Sequence, residues 1–117
     1  WGAVLERMQI DGRIVWSQIT QEMRRATGYL EDGDAGLVNF MGTANEADLA
    51  VIFSELEDGR VDVSMRASPR YDVSAVALSL GGGGHPQAAG CTLPGPLGDV
   101  QRRVVSLLAQ AWREQSG

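Results

Sequence analysis

The sequence predicts one mixed α/β (α+β) domain, a mixed sheet of about five strands flanked by helices. Three observations carry that expectation. Apolar runs rich in β-branched residues are separated by Asp11-Gly12 and Asp58-Gly59, both short-range hairpin signals. Elsewhere the apolar spacing turns helical, most clearly from Leu97 to Glu114. The whole chain, residues 1–117, has the length and the 44% hydrophobic content of a single globular domain with its own core.

Residues Ala3 to Ile10 and Arg13 to Ile19 read as two antiparallel strands around Asp11-Gly12. Thr20 is placed to cap a short helix, Gln21 to Ala26, which Gly28 ends. Glu31 to Gly36 is a polar, turn-rich loop, and Leu37 to Ala44 a second short helix. Leu49 to Leu56 is almost continuously apolar, as in a strand covered on both faces near the middle of a sheet. After Asp58-Gly59, residues Val61 to Ala67 alternate: Val61, Val63 and Met65 on one face, Asp62, Ser64 and Arg66 on the other. Arg66 thus comes near a strand end, with Ser68, Pro69 and Arg70 in the loop after it. Asp72 is a candidate N-cap for a helix over Val73 to Leu80. The glycines that follow stop that helix. Pro86 opens a further short turn, Gln87 to Ala89, and Ala89 to Leu93 is the last strand, ended by Pro94-Gly95-Pro96. In the final helix Leu97, Val100, Val104, Leu108 and Ala111 or Trp112 form the apolar stripe.

Composition narrows function. A net charge of −5 opposes broad binding to duplex nucleic acid, although a few local cations can hold a small anion. No stretch reaches the roughly 18 apolar residues of a membrane span, and no secretory leader is visible. The single cysteine, Cys91, excludes an internal disulfide framework and fits a reducing cytoplasm as the expected compartment. Cys91 is most simply a small buried residue.

The most informative stretch is Leu80 to Gly90, with four consecutive glycines, the only histidine, His85, and Pro86. One or two glycines suffice to stop a helix. Four cost additional backbone entropy, which points to a ligand approaching bare peptide N–H groups, a nest for a phosphate or carboxylate. His85 then adds a directional polar contact or carries a proton. No Gly-Lys-Ser/Thr closes the run, so it is not a Walker loop, and it follows a helix where a dinucleotide fingerprint follows a first strand. One His and one Cys with scattered acids form no metal-ligand cluster, and no nucleophile elbow supports a hydrolase triad. Arg66 and Ser68 have an ordinary reading as a solvated strand end. Beside the glycine–histidine loop they read instead as a guanidinium fork and a hydroxyl for the same anion.

Ser64-Met65-Arg66, Asp72 to Ala77 and Gly82-Gly83-Gly84-His85-Pro86-Gln87-Ala88-Ala89-Gly90 together resemble the DHH-associated domain. That domain is the C-terminal, substrate-binding half of DHH-family phosphoesterases. Within it, the His after the glycines and the Ala-Ala-Gly tail look most like the bifunctional oligoribonuclease and 3′-phosphoadenosine-5′-phosphate phosphatase branch. The related alanyl-tRNA synthetase domain typically carries Arg-Pro where this chain has His85-Pro86. The resemblance implies that residues 1–117 are one substrate-binding domain, inactive alone, whose partner is an N-terminal catalytic domain holding two manganese ions. This part itself would need no cofactor. It implies a substrate of short RNA or a nucleotide bisphosphate, no membrane, and a homodimer as an assembly open to the full-length protein. Carried over by position, Gly82, Gly83, Gly84 and His85 contact the phosphate, and Arg66 with Ser68 holds the phosphate or terminal nucleotide. Many relatives read Arg-Ser directly; here Ala67 intervenes, which weakens the carry-over at Ser68. A free-standing nucleotide- or anion-binding module and a tRNA-associated domain are the alternatives.

Overall fold

The sheet is built around its most apolar strand. In the computed structural model, which describes residues 7–27, 38–39, 41–43 and 46–117, Leu49–Glu55 has six of its seven residues buried. The strands are β1 (Gln9–Asp11), β2 (Ile14–Ile19), β3 (Leu49–Glu55), β4 (Arg60–Ala67), β5 (Gly83–His85) and β6 (Ala88–Pro94), in spatial order β1-β2-β3-β4-β6-β5. All neighbours are antiparallel except β2 and β3, which run parallel. A parallel pair needs a crossover. That crossover contains α1 (Gln21–Thr27) and helical residues 38–39 and 41–43. The other helices are α2 (Ser74–Ser79) and α3 (Leu97–Ser116).

β3 is continuously apolar because each face meets its own core. Leu49, Val51 and Phe53 join Val61, Val63 and Met65 of β4, Ala89, Cys91 and Leu93 of β6, and Val100, Val104 and Leu108 of α3. Ala50 and Ile52 join Val15, Ile19, Met23, Val38 and Met41 beneath the crossover. The α3 stripe therefore packs as its periodicity predicts, with Leu97 and Trp112 partly buried beside it.

Several local expectations hold atom by atom. Thr20 Oγ1 accepts the Met23 N–H at 3.1 Å, capping α1. Gly59 closes the β3–β4 turn at φ +88°. At Asp72 the expectation needs correcting. Val73 occupies the cap position of α2 and no side chain caps it; the Asp72 carboxylate accepts instead from Ser74 N (2.7 Å) and Ser74 Oγ (2.5 Å). Of the first predicted strand, residues 3–6 lie outside the described residues. So do Gly28, the loop Glu31 to Gly36, and Leu37, Phe40 and Ala44 of the second predicted helix.

The largest difference is a sixth strand inside the glycine run. Gly81, at φ +88°, and Gly82 end α2 by donating to Leu78 O (3.0 Å) and Ala77 O (2.8 Å), a paired helix stop. The chain then extends: Gly83, Gly84 and His85 pair with Gly90, Ala89 and Ala88. Pro86-Gln87 forms a two-residue hairpin end where a short turn through Ala89 was expected, and the last strand begins at Ala88. The short turn expected over Gln87 to Ala89 gives way to a strand pair because the ladder satisfies backbone groups that a lone turn would leave open.

The C-terminal end of α3 is tied across the sheet through Asp48. Its carboxylate accepts from Arg13 Nε (3.2 Å), Arg13 Nη2 (3.3 Å) and Trp112 Nε1 (2.8 Å). Hydrogen bonding from Arg13 is the main influence holding the Asp48 carboxyl below its usual range. A carboxyl with a lowered folded pKa stabilises fully above its unfolded value of about 3.9 and loses that contribution as pH falls through the folded value. Urea unfolding of the wild type should therefore lose stability more steeply on acidification below about pH 4 than Asp48→Asn does. Parallel curves for the two proteins would remove Asp48 as a source of acid sensitivity.

Candidate functional site: the open half of a sheet face

The alternation in β4 sends Val61, Val63 and Met65 into the core beneath α3 and leaves Asp62, Ser64 and Arg66 on the opposite face. Residues directly opposite in antiparallel neighbours share a face. Arg66 is opposite Ala88, which is opposite His85, so the three form one row across β4, β6 and β5. The next row is Ser64, Gly90 and Gly83, and the next Asp62 and Thr92, joined by a 3.2 Å Thr92 Oγ1 to Asp62 Oδ1 hydrogen bond. On the β2–β3 half of this face the crossover supplies a cover. On the β4–β6–β5 half, none of these row residues belongs to either apolar cluster, and Gly83, His85, Ala88 and Thr92 are exposed.

This bare half is polar and graded in charge. Arg66 and His85 stand at one end and Asp62 towards the other, with small residues between. One guanidinium N–H of Arg66 is held by Met65 O (Nη1 to O, 2.8 Å). Among the described residues that leaves the rest of the fork without a hydrogen-bond partner, able to meet an anion. Arg66 also borders two concavities: a shallow one shared with Ser64, Gly83 and Gly90, and a cleft of about 450 Å³ shared with Ser68.

The four glycines divide by what holds them. A Cβ on Gly82 would lie 2.0 Å from Gly90 O, and one on Gly84 would lie 2.6 Å from Ala88 O with φ at +140°. Gly81 needs its positive φ. Only Gly83 of the four has an ordinary φ and nothing within 4 Å of an added Cβ. The fold accounts for three of these glycines; Gly83 faces open space in the row beside Arg66 and His85.

The structure thus brings Arg66, Gly83 and His85 onto one surface. Ser68 lies past the end of β4, its N–H donated to Asp48 O (2.9 Å), and faces the cleft on the other side of Arg66. Gly82 cannot serve as a phosphate N–H donor, because that N–H goes to Ala77 O. A nest of consecutive free amides is replaced by an edge strand, which presents alternate backbone groups outward. Sequence reasoning missed the role of Gly90, whose absent Cβ lets β6 lie against β4: a Cβ there would stand 2.5 Å from Val63 O. It also missed the cleft, which no local pattern marks. Burial pushes the Cys91 thiol up, consistent with its place in the core. Among the described residues, no three His, Cys, Asp or Glu side chains gather as a metal-binding set. What the surface can do chemically is bind and orient an anion.

The fold has known relatives. Residues 27–114 match the DHHA1 domain, and the chain belongs to that family. It is 34% identical over 95 residues to the bifunctional oligoribonuclease and PAP phosphatase NrnA of Thermus thermophilus, covering 79% of this chain. The chain spans only 28% of that relative's length. Among solved structures it resembles an exopolyphosphatase-related protein of Bacteroides fragilis (TM-score 0.79, 21% identity, 97% of this chain and 33% of that one). It also resembles the pGpG-specific phosphodiesterase PggH of Vibrio cholerae (TM-score 0.66, 16% identity, 92% and 36%). The C-Ala domain of Aquifex aeolicus alanyl-tRNA synthetase shares the fold over nearly its whole length (TM-score 0.63, 15% identity, 89% and 96%). These three are likenesses of fold. No helix among the described residues is long and apolar enough to cross a membrane.

Proposed function

We propose that this domain is the substrate-holding half of a DHH-type phosphoesterase and grips the phosphate of a short oligoribonucleotide or nucleotide bisphosphate. The observation that carries the reading is the single row in which Arg66 and His85 flank a bare strip of sheet, beside a glycine that the fold itself does not require. Arg66 forks onto phosphate oxygens, His85 adds a second donor, and Gly83 lets the ligand lie close to the strand. Ser68 serves from the cleft side of Arg66, and Gly84 sets the path of β5. Hydrolysis belongs to a catalytic domain elsewhere in the parent chain, where the family implies manganese. This half orients the substrate towards it, which is how a remote contact contributes to rate.

His85 is exposed and, among the described residues, pairs only through its backbone in β5, so its truncation should leave the fold intact. In the full-length protein His85→Ala should lower kcat/KM on a short oligoribonucleotide about tenfold or more, the worth of one hydrogen bond to a charged group. Metal content should stay the same. Unchanged kinetics would reduce His85 to the end of a hairpin.

A further inference from the structure

The cleft beyond Arg66 has its own chemistry. Its volume of about 450 Å³ falls in the range of small-ligand sites. Asn39 and Thr43, four apart on the helical stretch and both exposed, line one side, and Ala47, Ala50 and Pro69 supply apolar surface. Two carboxylates also line it, and they differ. Asp48 is occupied by Arg13 and Trp112. The Glu46 side chain is exposed; it adds to the field on Arg13 but, among the described residues, holds no hydrogen bond to it. Glu46 is also the one non-glycine described residue with positive φ, +52°. Such backbone costs free energy and clusters at ligand sites.

We infer that this cleft is a nucleoside subsite, taking the base and sugar attached to the phosphate that Arg66 holds and favouring guanine through Glu46. The inference rests on the reading above and adds the part of the ligand that lies beyond the phosphate. With Asp48 paired to Arg13 and Arg66 engaged by the phosphate, Glu46 is the charge left facing the cleft, and it disfavours a second phosphate there, so the group that enters is uncharged. A carboxylate is an acceptor only, with two oxygens side by side. Guanine alone among the RNA bases presents two adjacent donors on one edge, N1–H and N2–H, and so meets both oxygens. Cytosine, adenine and uracil offer one donor group each. Arg66 lines both the cleft and the open sheet face, so one guanidinium marks the junction between phosphate and nucleoside.

The test is a titration of this chain, followed by NMR, with guanosine 5′-monophosphate, cytidine 5′-monophosphate, ribose 5-phosphate and inorganic phosphate. Guanosine monophosphate should bind about tenfold more tightly than ribose 5-phosphate, and Glu46→Gln should remove most of its advantage over the cytidine nucleotide. Asn39→Phe, which fills the cleft from an exposed position, should bring the guanosine nucleotide down to ribose 5-phosphate while phosphate binding stays unchanged. If Asn39→Phe leaves guanosine monophosphate affinity where it was, or the two nucleotides bind equally to the wild type, the subsite is wrong even with phosphate binding intact. If Arg66→Ala weakens none of the four probes, the phosphate reading fails and the subsite falls with it.

Discussion

Arg66→Ala in the full-length protein should cost the most of any single change on the open face, roughly 30- to 100-fold in kcat/KM on a 5′-phosphorylated oligoribonucleotide. A charged, forked contact is worth more than a single neutral hydrogen bond, and its loss leaves the phosphate facing only His85, Ser64, Ala88 and backbone. Arg66→Lys should recover only part of the loss, because an ammonium supplies charge without the planar fork. Stability should change little, since Arg66 is partly exposed and its one described hydrogen bond is to the neighbouring carbonyl of Met65. A full recovery by lysine would show that net charge, and not geometry, is what the site uses.

Gly82→Ala and Gly83→Ala should part company completely although the residues are adjacent. The first puts a methyl 2.0 Å from Gly90 O and 2.6 Å from Cys91 Cβ, inside the packed junction of the α2 stop and β6. Neither neighbour is the end of a flexible side chain, so the strands must separate, at a cost of about 3 kcal/mol or more. For a domain of this size that lowers Tm by on the order of 10 °C or more. The second places its methyl in open space at an ordinary φ, so thermal unfolding should barely move. The same methyl stands where the proposed ligand lies, and substrate affinity should fall several-fold. Thermal melts and binding curves of the two variants check both halves. A Gly83→Ala variant that binds normally would mean that all four glycines are there for the fold.

The face that carries the candidate site was legible in the sequence because it depends on period two. Once Val61, Val63 and Met65 were assigned inward, Asp62, Ser64 and Arg66 had to point the other way. The convergence of Arg66 with the glycine–histidine stretch was legible too, since a single short helix separates them. The strand inside the glycine run was not. Glycine carries no side-chain pattern, so its extended conformation is decided by the edge of β6 that it pairs with, a long-range fact. Likewise Gly82 and Gly90 look interchangeable with Gly83 until the backbone of a neighbouring strand is placed beside each. The cleft was hidden for a further reason: its walls come from the crossover and from the loop after β4, and no spacing links Glu46 to Ser68. Asp72 misled because Asp before an apolar run is a cap signal; its carboxylate does bind the helix start, one residue away from the position predicted.

A double-mutant cycle on Arg66 and His85 asks most directly whether the two hold the same phosphate. With kcat/KM measured for the wild type, Arg66→Ala, His85→Ala and the double variant, the shared row predicts losses that fail to add, by about 0.5–3 kcal/mol, because the second truncation acts on a phosphate already loosened. Losses that sum to within about 0.5 kcal/mol would place the two residues on separate groups. The open half of the sheet would then not be a single phosphate site.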